Sequence, residues 1–326
     1  MKKLRFLALM LILLLLTGCT SEPLASLSVT SAPQEDDVPE PESNTADIEQ
    51  HSVLWFRFLD EPLLAAEERT VSRLPNESYE TALLKALLSG PSLSNANLTA
   101  LFPSGTRIVS TVRQDDMLFV TLSSQIMNRL SDEPDNWQSD ASWRTEIPLR
   151  RQLAMQSIAA TITENTTVQQ VVILVEPNGN MTDSIRLRQS YYTLDSSDSS
   201  LADPLVRDES LLLTPANTLN VILTLLKSQD YSRLYRYVAE EDPDTGKDKP
   251  SSDEFADELR ASAALVSFSF SCGSIFGSQA AFTLSGLTTK NGMDQTISGR
   301  VVHLDRQNGL WQIPLSQLLA LVEGTT

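Results

Sequence analysis

The sequence reads Leu83-Leu84-Lys85-Ala86-Leu87-Leu88-Ser89-Gly90-Pro91, then Leu101-Phe102-Pro103-Ser104-Gly105-Thr106-Arg107, at the point that decides the fold. The first part predicts a helix, because its leucines recur at the spacing of one helix face. Asn76 can cap the start of this helix, and Gly90-Pro91 supplies the glycine and proline that commonly end one. We therefore predict a helix between Asn76 and Gly90.

Alternating and continuous apolar runs on both sides of this helix predict strands. Two precede it, Val53 to Leu59 and Val71 to Leu74, and two follow it, Arg107 to Arg113 and Met117 to Leu122. A second helix is predicted to begin near Pro148 and to end before a buried strand over Val168 to Val175. Asn178-Gly179 then turns the chain into a last strand at Ile185 to Leu187. The predicted order is ββαββαββ.

The remaining sequence predicts helices first and strands afterwards. Thr214-Pro215, Asp230 and the capping box Ser251 to Glu254 each mark a helix start. Four strands follow, Leu265 to Cys272, Gln279 to Leu287, Thr296 to Leu304 and Leu310 to Ile313, separated by turns such as Asn291-Gly292 and Asn308-Gly309. Helices followed by an antiparallel meander make the fold class α+β.

The stretch from Leu83 to Arg107 resembles the GerMN family of sporulation and germination proteins. Gly90-Pro91, Pro103-x-Gly105-Thr106 and Thr161-x-Thr163-Glu164 occur in the family's order, and the resemblance covers roughly residues 50–190. The chain departs from the family at Thr121 and Ala160. The resemblance implies a non-catalytic domain of bacterial surface lipoproteins, with a fold similar to ring-building modules of envelope channels. It also implies self-association.

The C-terminal part resembles the NTF2-like superfamily through Leu226-Lys227-Ser228-Gln229-Asp230-Tyr231 and Gly309-Leu310-Trp311-Gln312-Ile313. A second GerMN copy is the alternative, but no strand precedes the first helix and no Pro-x-Gly-Thr is present. We therefore divide the chain into a signal peptide (1–18), an acidic tether (19–50), a GerMN domain (51–192), a linker (193–212) and an NTF2-like domain (213–326).

The N-terminus has the form of a bacterial lipoprotein signal. Lys2, Lys3 and Arg5 precede an apolar run from Phe6 to Leu16, which is too short to span a bilayer. Leu16 to Cys19 resembles the lipobox of bacterial lipoproteins, which implies cleavage before Cys19 and lipidation of its thiol. Thr20 to Phe56 contains no lysine or arginine, which is typical of a disordered acidic spacer. We predict a lipid-anchored protein on the outer face of the cytoplasmic membrane.

Composition leaves little material for catalysis. The net charge of −17 disfavours nucleic acid and anionic lipid as partners. Two cysteines and two histidines provide few ligands for zinc and few residues for a nucleophilic triad. We predict no enzyme activity, no cofactor and no metal. Cys272 is predicted to be a core residue, and His303 is predicted to share the inward strand face of Ile297 and Val301.

Trp137 and Trp143 lie in a polar insert, Asn128 to Glu146, that lacks helical or strand periodicity. Tryptophan in a loop is enriched at protein interfaces, so both residues are candidate partner contacts. The alternative is that the insert folds back over a sheet edge. The leading hypothesis is a structural or interaction lipoprotein that binds an envelope protein or itself. The other hypothesis is a small-molecule-binding lipoprotein that uses an NTF2-like cavity.

Overall fold

The structure, a computed structural model, describes residues 47–176, 184–192 and 197–322. Its first sheet is a long antiparallel hairpin of β1 (Ile48–Phe58) and β2 (Leu64–Arg73), with the short strand β3 (Leu98–Thr99) on the other side of β1. β1 begins earlier than the sequence predicts, and β2 is longer than the predicted stretch at Val71. The inward side chains of β1 are apolar and almost fully buried, which makes this hairpin part of the core.

The predicted leucine helix is α1 (Tyr79–Leu88). Ser78 caps it, not Asn76, because the Ser78 hydroxyl accepts a hydrogen bond from the Thr81 amide at 3.2 Å. Gly90 follows the helix with φ +86°, a left-handed conformation that favours glycine, so the predicted helix end is confirmed. Leu83, Leu84 and Leu87 are buried.

The second sheet has the order β4 (Ile108–Gln114), β5 (Met117–Leu122), β6 (Gln170–Val175), β7 (Ile185–Arg186). β5 and β6 are parallel, and α2 (Ala141–Asn165) connects them. The predicted helix start near Pro148 was wrong. Asp140 caps the helix by accepting from the Ser142 amide at 2.8 Å, and Pro148 lies inside it.

A row of polar side chains on α2, which we call the polar ladder, holds the open edge of β1. Ser157 Oγ donates to the Trp55 carbonyl, and Thr161 Oγ1 accepts from the Trp55 amide at 3.1 Å. Asn165 bonds both the amide and the carbonyl of Val53, at 2.9 and 2.7 Å. Because β3 pairs only with Arg57 and Phe58, the ladder satisfies backbone groups that a neighbouring strand would otherwise bond.

The C-terminal part contains α3 (Pro215–Ser228), α4 (Tyr231–Leu234), the small hairpin β8 (Glu241–Asp242) and β9 (Lys247–Asp248), and α5 (Ser252–Ala261). The capping box of Ser251 and Glu254 is confirmed. A four-stranded antiparallel meander follows, β10 (Ala264–Phe276), β11 (Gln279–Lys290), β12 (Met293–Gln307) and β13 (Leu310–Gln312), and then α6 (Leu315–Val322). The fold class is therefore α+β. The sequence did not predict β8, β9 or α6.

Side chains fill the space between this meander and its helices. The inner face of the sheet carries Phe282, Leu284, Val302 and Leu304, and all four are at most 1% exposed. They belong to one buried cluster with α3 and α5 side chains, including Leu223, Leu226 and Phe255. The filled interior argues against the hypothesis of a small-molecule cavity at this place.

The predicted inward orientation of His303 was wrong. A bulge shifts the register of β12 between Ile297 and Arg300, and Gly299 within it has φ +61°. After the shift Val302 and Leu304 face the core, while Val301 is 53% exposed and His303 lies on its outward side. Cys272 lies in β10 opposite Phe282, and its side chain is outside what the structure describes.

Contacts between the β1–β2 hairpin and the C-terminal part run through a buried carboxylate. Glu61, 2% exposed, accepts from Arg233 Nε at 2.9 Å and from Arg236 Nη1 at 3.0 Å. The rings of Phe58 and Tyr237 pack with centroids 5.2 Å apart. The residues that the structure describes all belong to one compact unit. Because this unit is not divided further, the structure does not test the predicted domain boundaries at 192 and 213, and they stay predictions.

None of the helices within the described ranges is long and apolar enough to cross a membrane. The predicted signal peptide, Cys19 and the tether up to residue 46 lie outside those ranges, as does the predicted Asn178-Gly179 turn.

Candidate functional site

A cleft of about 860 Å³ opens beside the end of β1, and we call it the arginine cleft. Five segments build it: the end of β1 with the residues just after it, the loop that follows β3, the start of the polar insert, α2, and the residues just after α4. Its charged lining consists of Arg57, Asp60, Arg129, Asp132, Arg150 and Arg236, and its apolar lining includes Leu59, Leu101, Phe102 and Leu130. The cleft therefore lies between the Leu101 to Arg107 stretch and the polar insert, Asn128 to Glu146, which contains Trp137 and Trp143.

The Pro103-x-Gly-Thr motif shapes one wall of the cleft. β3 pairs with the end of β1, so the chain that follows is held beside Arg57. A turn then forms in which the Thr106 amide and hydroxyl both donate to the Pro103 carbonyl, at 3.2 and 2.7 Å. Gly105 has φ +83° in this turn, which explains the glycine. The motif thus serves to hold the Leu101-Phe102 segment at the cleft.

Arg57 organises the base of the cleft. It is 4% exposed, and its guanidinium donates to the Asp60 carbonyl at 2.7 Å, to the Glu61 carbonyl at 2.9 Å and to both carboxylate oxygens of Glu146. Arg150 donates to Glu146 at 2.6 Å and to both oxygens of Asp132 at 2.8 Å. Charged groups from β1, α2 and the insert therefore form one connected network.

The hydrogen bonds of the network stabilise the charged forms of Glu146 and Arg150. Burial alone would raise the pKa of Glu146, but hydrogen bonds from Arg57 and Arg150 outweigh it and lower that pKa below the ordinary value. Burial alone would lower the pKa of Arg150, but its hydrogen bonds to Glu146 and Asp132 outweigh burial and raise that pKa above the ordinary value. Groups held in one ionisation state near neutral pH are suited to binding and poorly suited to proton transfer.

The structure separates the two predicted contact tryptophans. Trp137 lies in a short 3-10 helix, is 8% exposed and packs under Arg151, whose guanidinium carbon lies 6.0 Å from the ring centroid. Trp143 lies in the first turn of α2, is half-buried and stacks with Arg150 at 5.1 Å. Trp137 thus fits the alternative that the insert folds back on the domain. The contact role stays a prediction, and only Trp143 offers an accessible ring for it.

The cleft offers binding groups and no recognisable catalytic set. Among the residues that the structure describes, no histidine or cysteine lines it. Within the described ranges, no group of three or more His, Cys, Asp or Glu side chains is placed to hold a metal ion. Arg129 is the most exposed of the four lining arginines, because 51% of its side chain is exposed, against 28% for that of Arg236. Its partner, Asp135, is itself on the surface.

Sequence reasoning missed Arg57 as a site residue. The signal for it is an arginine inside the apolar run Val53-Leu54-Trp55-Phe56-Arg57-Phe58-Leu59. An arginine at a core position must be paired, so this residue alone predicts a carboxylate partner elsewhere in the chain. Nothing in the spacing of the sequence identifies that partner as Glu146.

Comparison with known families gives one match. Residues 58–178 match the family model described as "Germane: Sporulation and spore germination". The match confirms the resemblance of this part of the chain to the GerMN family, and the arginine cleft draws most of its lining from it. No curated protein matches the chain. The NTF2-like resemblance of residues 213–326 stays a prediction.

Several solved structures are similar to the chain at low identity. The tandem GerMN domains of the sporulation protein GerM from Bacillus subtilis are 18% identical, with a TM-score of 0.31 over 53% of this chain and 50% of that chain. The first GerMN domain of the same protein is 16% identical, with a TM-score of 0.30 over 48% of this chain and 98% of that chain. A candidate lipoprotein from Clostridium perfringens is 22% identical, with a TM-score of 0.27 over 50% of this chain and 89% of that chain. This chain thus spans about half the length of the tandem-domain structure.

Proposed function

We propose that the protein is a lipid-anchored, extracytoplasmic binding protein of sporulation or germination, and that it holds a protein partner in the arginine cleft. The observation that carries this proposal is the construction of the cleft. The Germane-matching residues build its walls, the polar insert forms its rim, and Arg150 in its lining is held ionised together with its partner Glu146. Such a site has affinity without a catalytic group.

The lining indicates the kind of segment that would fit. Leu59, Leu101, Phe102 and Leu130 offer apolar contact, and Arg129 lies at the rim with about half of its side chain exposed. An extended segment with both apolar and acidic side chains would fit this lining. Its apolar side chains would pack against the apolar residues of the cleft, and its acidic side chains would pair with Arg129. We therefore propose an envelope protein partner of this chemistry, or another copy of the chain.

Crosslinking from the cleft tests the proposal. A photoreactive residue in place of Ser131, which lines the cleft and is exposed, should give one discrete adduct on cells of the producing organism. The same residue in place of Asp253, which is exposed on α5, should not give that adduct. Phe102→Ala, on the opposite wall, should reduce the Ser131 adduct. An adduct of equal yield from both positions would count against the cleft as the contact site.

The proposed location depends on lipidation at Cys19, which can be measured separately. The lipobox-like segment Leu16 to Cys19 ends in the only cysteine placed to become a mature N-terminus. We expect labelled fatty acid to enter the wild-type chain and the Cys272→Ala chain equally, and Cys19→Ala to abolish labelling. Equal labelling of all three chains would refute the anchor.

A further inference from the structure

The outer edge of the C-terminal sheet has an unusual composition. β10 is the terminal strand of that sheet, with β11 on one side and no strand of the described residues on the other. It reads ALVSFSFSCGSIF and contains no charged residue and no proline. Exposed edge strands usually carry lysine or proline, or are covered, because their free backbone groups can pair with another strand.

The centre of β10 is a palindrome. Its register with β11 is regular from Ser267 to Cys272, between two bulges. Within this part, residues 267–271 read Ser-Phe-Ser-Phe-Ser in both directions. An antiparallel strand runs in reverse, so a second copy centred on Ser269 would place Phe268 opposite Phe270 of that copy. Ser267 would lie opposite Ser271, and Ser269 opposite itself.

The two faces of β10 also match in this arrangement. Phe268 and Phe270 lie on the inner face, partly buried against the core, and the ring of Phe270 meets that of Phe282 edge-on at 5.7 Å. Ser267, Ser269 and Ser271 lie exposed on the outer face. Pairing about Ser269 therefore joins apolar to apolar on one face and hydroxyl to hydroxyl on the other, which stabilises cross-strand pairs.

The end of the same strand carries the large apolar residues Ile275 and Phe276, and Phe276 is 88% exposed. In the arrangement centred on Ser269 they would lie opposite Ala263 and Ser262 of the second copy, just before its β10. We propose that two copies of the chain associate by antiparallel pairing of β10 about Ser269. This contact goes beyond the proposed function, because it lies on a different element from the arginine cleft and can fail while the cleft still binds.

A disulfide across the two-fold axis tests the pairing. In a full chain carrying Cys19→Ser and Cys272→Ser, Ser269→Cys should oxidise to a covalent dimer. Residues facing each other in an antiparallel pair have Cα atoms about 4.5–5.5 Å apart, inside the range of about 4.4–6.8 Å that disulfides span. Thr283→Cys in the same background is the control: Thr283 is equally exposed, but it lies on β11. Thr283 pairs with Ser271, so its two copies would be three strand spacings apart across the sheet and four residues apart along it. That makes about 20 Å, and the two cysteines should stay reduced.

A second variant separates pairing from folding. Ser269→Lys places two positive charges opposite each other at the axis, so it should convert the dimer to monomer in sedimentation while leaving the thermal unfolding midpoint of the monomer unchanged. Thr283→Lys should remain dimeric. The proposal is overturned if the wild-type chain is monomeric at its highest soluble concentration, if Ser269→Cys crosslinks no better than Thr283→Cys, or if Ser269→Lys is still a dimer.

Discussion

Arg57→Ala should lower the free energy of unfolding by about 2–4 kcal/mol, because hydrogen bonds to a charged group contribute about 1.5–3 kcal/mol and the buried side chain also loses its packing. The guanidinium is almost fully buried and serves two backbone carbonyls and the Glu146 carboxylate at once. Its loss removes a donor from the Asp60 and Glu61 carbonyls, leaves Glu146 with Arg150 as a partner, and opens a void beneath the cleft. The midpoint of urea unfolding should fall while the dependence on urea concentration stays the same.

Arg129→Ala is the matched control for this prediction. Arg129 lines the same cleft and is also paired with a carboxylate, but both side chains of its pair are exposed. An exposed pair contributes about 0–1 kcal/mol, so the unfolding midpoint should barely move. Equal destabilisation by both substitutions would show that burial of Arg57 is not what makes it important.

Gly309→Ala should lower the free energy of unfolding by about 2–5 kcal/mol. Gly309 has φ +83°, where an alanine costs about 1–2 kcal/mol. A Cβ at this position would also lie 2.6 Å from the Ala66 carbonyl oxygen of β2, closer than atoms pack. Overpacking adds about 1–3 kcal/mol. Because the clash lies where β2 meets the β12–β13 turn, we expect thermal unfolding to begin at a lower temperature.

Gly292→Ala isolates the backbone contribution to that loss. Asn291-Gly292 and Asn308-Gly309 are the same kind of hairpin turn, with φ values of 53° and 75° in the first and 51° and 83° in the second. A Cβ at Gly292 meets nothing within 4 Å. This substitution should therefore cost only about 1–2 kcal/mol. If the two alanine variants unfold at the same midpoint, the close approach of Ala66 to Gly309 does not contribute to the loss in free energy of unfolding.

Features that depend on a few adjacent residues were predictable from the sequence. The end of α1 follows from Gly90-Pro91, and the start of α5 follows from the capping box at Ser251. The Asn-Gly turns of the meander follow from the left-handed backbone that type I′ turns require. Each of these is decided by local hydrogen bonds and backbone conformation.

Three features were predicted wrongly or missed, two because the local signals were ambiguous and one because it depends on distant residues. The start of α2 was misplaced because Pro148 is typical of a first turn, whereas Asp140 upstream makes the actual cap. His303 was assigned to the wrong face because one bulge reverses the alternation of β12. The arginine cleft needs Glu146 to meet Arg57 across 89 positions of sequence, and no local pattern contains that information.

The polar ladder on α2 fixes the number of residues between Ser157 and Asn165, and it places no such limit on the length of the segment 128–140. Ser157, Thr161 and Asn165 reach β1 because they are four residues apart, so one inserted or deleted residue between them would turn the side chains beyond it by about 100°. Within a family that shares the ladder, we therefore expect gaps in aligned sequences to fall in 128–140 and to be absent from 157–165. The spacing of three small polar residues then becomes a signature with which to search for more distant relatives.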